Sequence, residues 1–223
     1  MSEGDRDHST GSGRLVTGAA WAALLLGLWL WGTEVTDVRH GLSVPATGDM
    51  AAVGRPAAAE LPPAAAPLKD ARPRRIDIPS LRVQAPVMPR GLDDRGGIDP
   101  PPYARSGVVG WYAAGARPGA AGAALFVGHV DTEDRPAVFH GLGAMRTGET
   151  VRVFRDDGTV AEFTVDDVQV VGRDRFDARQ AYGVRQSGRA ELRLITCGGT
   201  FDRASGTYTA NVIVSAYLTG TGP

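Results

Sequence analysis

Residues 149–171 read ETVRVFRDDGTVAEFTVDDVQVV. Apolar and polar residues alternate on both sides of Asp157-Gly158, so two half-buried strands meet at a tight hairpin. The same kind of run recurs along the second half of the chain. RIDIPS (75–80), VQAPVM (83–88), GVVGWY (107–112) and AALFVG (123–128) precede the hairpin. ELRLITC (191–197) and TYTANVIVSAYL (207–218) follow it. Helical signals are few: one near 136–145 and one near 177–182. Eight short strands with two short helices predict an antiparallel barrel or sandwich. About 150 residues suffice for one closed core.

Upstream of residue 75 the composition changes twice. Residues 1–14 form a short polar tail. Leu15 to Thr33 contains no charged residue and includes Trp21, Trp29 and Trp31. As a helix it would span roughly 28 Å at 1.5 Å per residue, close to the ~30 Å hydrocarbon core of a bilayer. Gly32-Thr33-Glu34 is a poor small-x-small cleavage site, which favours an uncleaved anchor over a signal peptide or a buried core helix. Residues 34–74 are rich in alanine and proline, with no sustained periodicity, and read as a flexible spacer. The organisation predicted is thus a tail (1–14), a transmembrane anchor (15–33), a linker (34–74) and a β-domain (75–223).

The β-domain contains 17 arginines and 17 carboxylates. That balance leaves no broad basic surface for nucleic acid. A single cysteine, Cys197, excludes an intramolecular disulfide and any cysteine-based zinc site. The acidic pairs Asp93-Asp94, Asp156-Asp157 and Asp166-Asp167 lack the spacing of a calcium loop. No metal and no cofactor are expected.

Few residues are suited to chemistry. His8 lies in the tail, His40 beside the apolar run and His140 in a short helical stretch. His129 ends an apolar strand, where a side chain leaves the core, and histidine is a residue type suited to proton transfer. Cys197 ends the strand ELRLITC and is followed by two glycines, which leave its sulfur uncrowded. It reads either as a buried structural thiol or as a nucleophile. Arg203 is the only basic residue downstream of the cysteine. It reads either as a surface partner of Asp202 or as a holder of a developing oxyanion. Cysteine, histidine and arginine together suit acyl transfer.

The runs GWY (110–112), PGAAGAALFVGHVDT (118–132), PAVFHGL (136–142), LITCGGTFDR (194–203) and YTANVIVSAY (208–217) resemble the sortases, cysteine transpeptidases of Gram-positive bacteria. Within that family the likeness is greatest to the actinobacterial class F group. The resemblance implies a closed eight-stranded sortase-type β-barrel on an extracellular domain tethered to the cell membrane. It implies Cys197 as nucleophile, His129 as proton donor and Arg203 as the carbonyl-holding arginine. The expected substrates are surface proteins with a Leu-Pro-x-Thr-Gly-like signal, and the expected acceptor is an amine of a peptidoglycan precursor. Thr196, Val130, Phe201 and Tyr208 are the candidate substrate contacts. Family members often carry Thr-Leu-x-Thr-Cys; here Arg193 takes the first position. It shares strand parity with Cys197 and is the alternative arginine. The competing function is a membrane-tethered β-barrel binding module with Cys197 buried in its core.

Overall fold

The computed structural model describes residues 60–94 and 96–222. The tail, the proposed anchor and the first part of the linker lie outside the described residues. Among those described, no helix is long and apolar enough to cross a membrane.

All eight expected runs are strands: β1 (Pro73–Ile78), β2 (Val83–Arg90), β3 (Val109–Tyr112), β4 (Gly122–Val127), β5 (Thr150–Arg155), β6 (Val160–Gly172), β7 (Ala190–Asp202) and β8 (Thr207–Gly222). They close into a barrel in the order β1-β2-β3-β4-β7-β8-β6-β5, with β5 pairing back onto β1. The barrel is mixed, not antiparallel throughout. β2 runs parallel to β3, and β4 runs parallel to β7. Parallel neighbours need long crossovers, and the connections 91–108 and 128–189 supply them.

Other local expectations are refined. The Asp157-Gly158 hairpin has a three-residue loop. The Gly158 N–H donates to the Arg155 carbonyl and the Arg155 N–H to that of Thr159, with Gly158 left-handed at φ +81°. Residues 136–145 contain only a single 3-10 turn, Leu142–Ala144, because Pro136, Gly141 and Gly143 interrupt any longer helix. The second helical signal is one short helix, α1 (Ala178–Tyr182), whose first turn is capped by the Asp177 carboxylate accepting from the Arg179 N–H.

The interior follows the period of two. Phe126, Phe163, Leu192, Leu194 and Val214 are fully buried inside the barrel. A second apolar layer covers part of the outside. Leu125, Val127, Ile195 and Ile213 meet Ala181 of α1, with Phe176 and Tyr182 packed against them. β7 is therefore buried on both faces over its first half, which is why ELRLIT is almost continuously buried. The end of the Ala/Pro-rich stretch is not free spacer. The Tyr217 hydroxyl donates to the Pro62 carbonyl, the Ala65 N–H to that of Leu218 and the Leu68 N–H to that of Gly119. Buried Arg155 donates to the Lys69 carbonyl, and Ala71 is 6% exposed. Proline keeps this segment extended, so its small apolar side chains can lie along the barrel wall.

Candidate active site

Cys197 faces outward from β7, two residues beyond Ile195, where the α1 cover ends. It is exposed. The strand does not stop there, as the sequence suggested, but continues to Asp202 through a bulge between Gly198 and Phe201. The two glycines serve that bulge. A Cβ on Gly198 would lie 2.6 Å from Val212 Cγ2, and Gly199 is left-handed at φ +76°.

His129 stands on the neighbouring strand's exit. In the parallel β4–β7 pair Val127 lies beside Ile195, and His129 and Cys197 each follow two residues further along their own segment. The Gly128 N–H donates to the Ile195 carbonyl at 3.2 Å. The Thr196 hydroxyl, buried inside the barrel, donates to the Gly128 carbonyl at 2.8 Å and ties the two strand ends together. The His129 ring is held from outside by the β2–β3 connection. Its Nε2–H donates to the Pro101 carbonyl at 2.6 Å, and Tyr103 stacks on it at 4.3 Å.

Cys197 opens into a groove of about 1600 Å³. Phe201, Tyr208 and Asn211 line it from β7 and β8, Tyr103 and Asp131 from beside His129, and Arg173 from the end of β6. The Phe201 and Tyr208 rings meet edge to face at 5.2 Å. The Tyr208 hydroxyl donates to Asp131, and that bond pushes its pKa up to about 12. Desolvation raises the Cys197 thiol above its ordinary value; Arg173 pulls it down and Asp131 pushes it up.

A sortase-domain family model matches residues 76–219. The chain belongs to the sortase family. As a sortase it is a cysteine transpeptidase. Solved sortases share its fold. Sortase C-1 of Actinomyces oris is 23% identical, with a TM-score of 0.50, over 66% of this chain and 73% of that one. Sortase C of Streptococcus pneumoniae is 17% identical, with a TM-score of 0.51, over 70% and 73%. A lid mutant of Corynebacterium diphtheriae sortase A is 18% identical, with a TM-score of 0.50, over 70% and 75%. No curated protein sequence matches this sortase.

The sequence-predicted residues of this sortase fall into two groups. Cys197, Phe201 and Tyr208 share the groove, with His129 on the adjoining strand end. Thr196 is buried on the inward face of β7, and Val130 is half-buried with its carbonyl accepting from the Ala137 N–H. Arg203 is not brought to Cys197: it opens the turn between β7 and β8, outside the groove lining. Arg193 keeps the parity of Cys197 but is 1% exposed. It donates to Glu191 at 2.6 Å and to the carbonyls of Gly183 and Leu192. Sequence reasoning missed Tyr103, Asp131 and Arg173. Asp131 was signalled by its place two residues after His129. Tyr103 and Arg173 come from distant segments and carried no local signal.

Proposed function

We propose that this sortase is a membrane-anchored enzyme that cleaves a Leu-Pro-x-Thr-Gly-like sorting signal between Thr and Gly. It then transfers the acyl part to a cell-wall precursor amine outside the cell. The class F affinity rests on the motifs of the sequence. The observation that carries the reading is the pairing of an exposed Cys197, at the wall of a wide groove, with His129 on the adjacent parallel strand end. An exposed thiol argues against the binding-module alternative, which needs that cysteine in the core.

In the first step the Cys197 thiolate attacks the threonine carbonyl carbon, and the carbonyl π pair moves to oxygen. When the tetrahedral adduct collapses, the C–N bond breaks, and protonated His129 gives its proton to the departing glycine nitrogen. A thioester remains. In the second step an acceptor amine attacks that thioester and loses a proton to His129. The C–S bond breaks, and the thiolate returns. Proton and charge balance over the cycle. Water in place of the amine gives slow hydrolysis. Thiolate and imidazolium must coexist, so at neutral pH only a small part of the enzyme is competent when the thiol has the higher pKa. The aromatic pair Phe201–Tyr208 offers an apolar wall for the Leu and Pro of the signal.

The test is a quenched Leu-Pro-x-Thr-Gly peptide, incubated with the full-length chain with and without an amine acceptor, beside Cys197→Ala. Cleavage between Thr and Gly that is lost in the variant is expected, with an amide product when the amine is present. Folded protein that leaves the peptide intact overturns the assigned signal. A folded protein whose thiol also resists iodoacetamide overturns the reading of the groove.

A further inference from the structure

Acyl transfer to a thiolate leaves negative charge on the carbonyl oxygen, and the groove must stabilise it. Most charged side chains in the groove are unsuitable. Asp93, Asp131, Glu133 and Asp134 would repel an oxyanion, and among the described residues that line the groove the arginines are Arg135 and Arg173. Arg135 sits in a turn with Glu133 and Asp134, its carbonyl held by the Thr132 N–H and hydroxyl. The arginines nearest Cys197 along its own segment are placed elsewhere. Arg193 is tied to Glu191. Arg203 lies six residues beyond Cys197, past the bulge and in the β7–β8 turn, and does not line the groove.

Arg173 is placed differently. β8 runs between β6 and β7. Asn211 lies opposite Cys197 on one side and Val171 on the other, and Ala210 lies between Gly198 and Gly172 in the same way. Cys197, Asn211 and Val171 thus form one row across three strands. Arg173 follows Gly172 directly, at the start of the turn Arg173–Arg175. Two strand spacings of about 4.8 Å separate the β6 and β7 backbones laterally, within reach of a long side chain. The Arg173 side chain and Cys197 line the same groove from its two sides.

We infer that Arg173, from the end of β6, is the catalytic arginine of this sortase, receiving the scissile carbonyl oxygen as the Cys197 sulfur adds to the carbon. This rests on the acyl-transfer reading of the groove. A guanidinium stays charged throughout and presents several N–H donors to the oxygen as its charge grows. It returns no proton and forms no bond, so the balance of the two steps is unchanged. Arg173 is also the cation that acts on the free thiol, against Asp131. The titratable and charged groups that act on that thiol or are acted on by it across the groove are Asp131, Tyr208 and Arg173.

The test compares Arg173→Ala, Arg173→Lys and Arg203→Ala in the full-length chain, each checked for folding by its melting curve. With the quenched peptide, Arg173→Ala loses about 10²–10³-fold in kcat/KM, the scale of an oxyanion donor. Arg173→Lys recovers part of that loss, and Arg203→Ala loses at least tenfold less than Arg173→Ala. Arg173→Ala within threefold of wild type, or a larger loss at Arg203, overturns the inference. If the wild-type chain cleaves no such peptide, the assigned signal fails, and the arginine is judged on the thiol alone. The pH midpoint of iodoacetamide alkylation at Cys197 then rises in Arg173→Ala and not in Arg203→Ala. An unmoved midpoint overturns the inference.

Discussion

Replacing Glu191 by alanine should cost this protein more stability than replacing Arg193 by methionine, although the two form one ion pair. Both side chains are buried, at 0% and 1% exposure, beneath the β6–β7 connection. The Glu191 carboxylate accepts from Arg193 at 2.6 Å, the Arg185 N–H at 3.0 Å, the Gln186 N–H at 2.9 Å and Arg189 Nε at 3.1 Å. Without Arg193 it keeps three donors, one of them charged. Without Glu191 the Arg193 guanidinium keeps only the carbonyls of Gly183 and Leu192, and two backbone N–H groups lose their acceptor. Breaking a buried pair from one side costs about 3–5 kcal/mol. Glu191→Ala belongs near the top of that range and Arg193→Met near the bottom. At about 2–4 °C per kcal/mol for a domain of this size, the losses in Tm are roughly 10–20 °C and 6–12 °C.

Calorimetry on the two variants and on the pair Glu191→Leu with Arg193→Met checks the argument. The double variant should recover part of the loss, because both charges leave together. The acid limb carries the same information. Burial alone would raise the Glu191 carboxyl, but the Arg185 N–H, the Arg193 guanidinium and the Gln186 N–H outweigh it and hold the pKa below its ordinary value. Its stabilising effect is therefore complete above the ordinary carboxylate range and lost as pH falls through the lowered value. Glu191→Gln should flatten that limb. An Arg193→Met protein that melts with the wild type yet loses turnover would refute the reasoning and return Arg193 to the reaction.

Three further outcomes follow from the geometry. A chain beginning at Arg72 should melt several degrees below one beginning at Glu60, since it lacks the bonds to Tyr217, Leu218, Gly119 and Arg155, each contributing about 0.5–1.5 kcal/mol; equal melting curves would show that residues 60–71 contribute nothing. Gly128→Ala would set a Cβ 2.6 Å from Phe139 Cδ2 and 2.8 Å from Val138 Cγ1, and overpacking beside a fully buried ring costs about 1–3 kcal/mol; an unshifted Tm would contradict that contact. Alkaline titration of the Tyr208 phenol should give a pKa of about 12, and Asp131→Asn should bring it back toward 10.0; a Tyr208 that titrates identically in both proteins would rule out the bond across the groove.

The strands were legible because their signal is local. Alternation over 149–171, or a buried run such as ELRLIT, follows from which faces are covered, and both survive without knowledge of neighbours. Strand direction was not legible. Whether β4 lies parallel or antiparallel to β7 depends on the route taken by residues 128–189, and no short window contains that information. The same division runs through the site. Cys197 and His129 each end an apolar run, so their emergence from the core could be read in place. Thr196 has the right neighbours in sequence but the wrong parity, and so turns inward. Proximity in sequence also pointed to Arg203, whereas strand order brings the end of β6, where Arg173 begins a turn, to the groove that Cys197 lines.

That strand order links the stability network to the chemistry. The connection from β6 to β7 begins with Arg173, supplies the α1 cover over Ile195, and ends in the Gly183–Gln186 backbone that holds Arg193 and Glu191. One end of the segment faces the groove, and the other is pinned to the outer face of β7, the strand that carries Cys197. The buried ion pair therefore acts as a fixed point from which the loop reaches across β8. Loosening it should displace Arg173 before it unfolds the barrel, whose interior core does not include either charge. Conversely, β7 can expose a thiol at Cys197 only because its preceding residues are covered on both faces, and the segment providing that cover is the one that brings in the arginine.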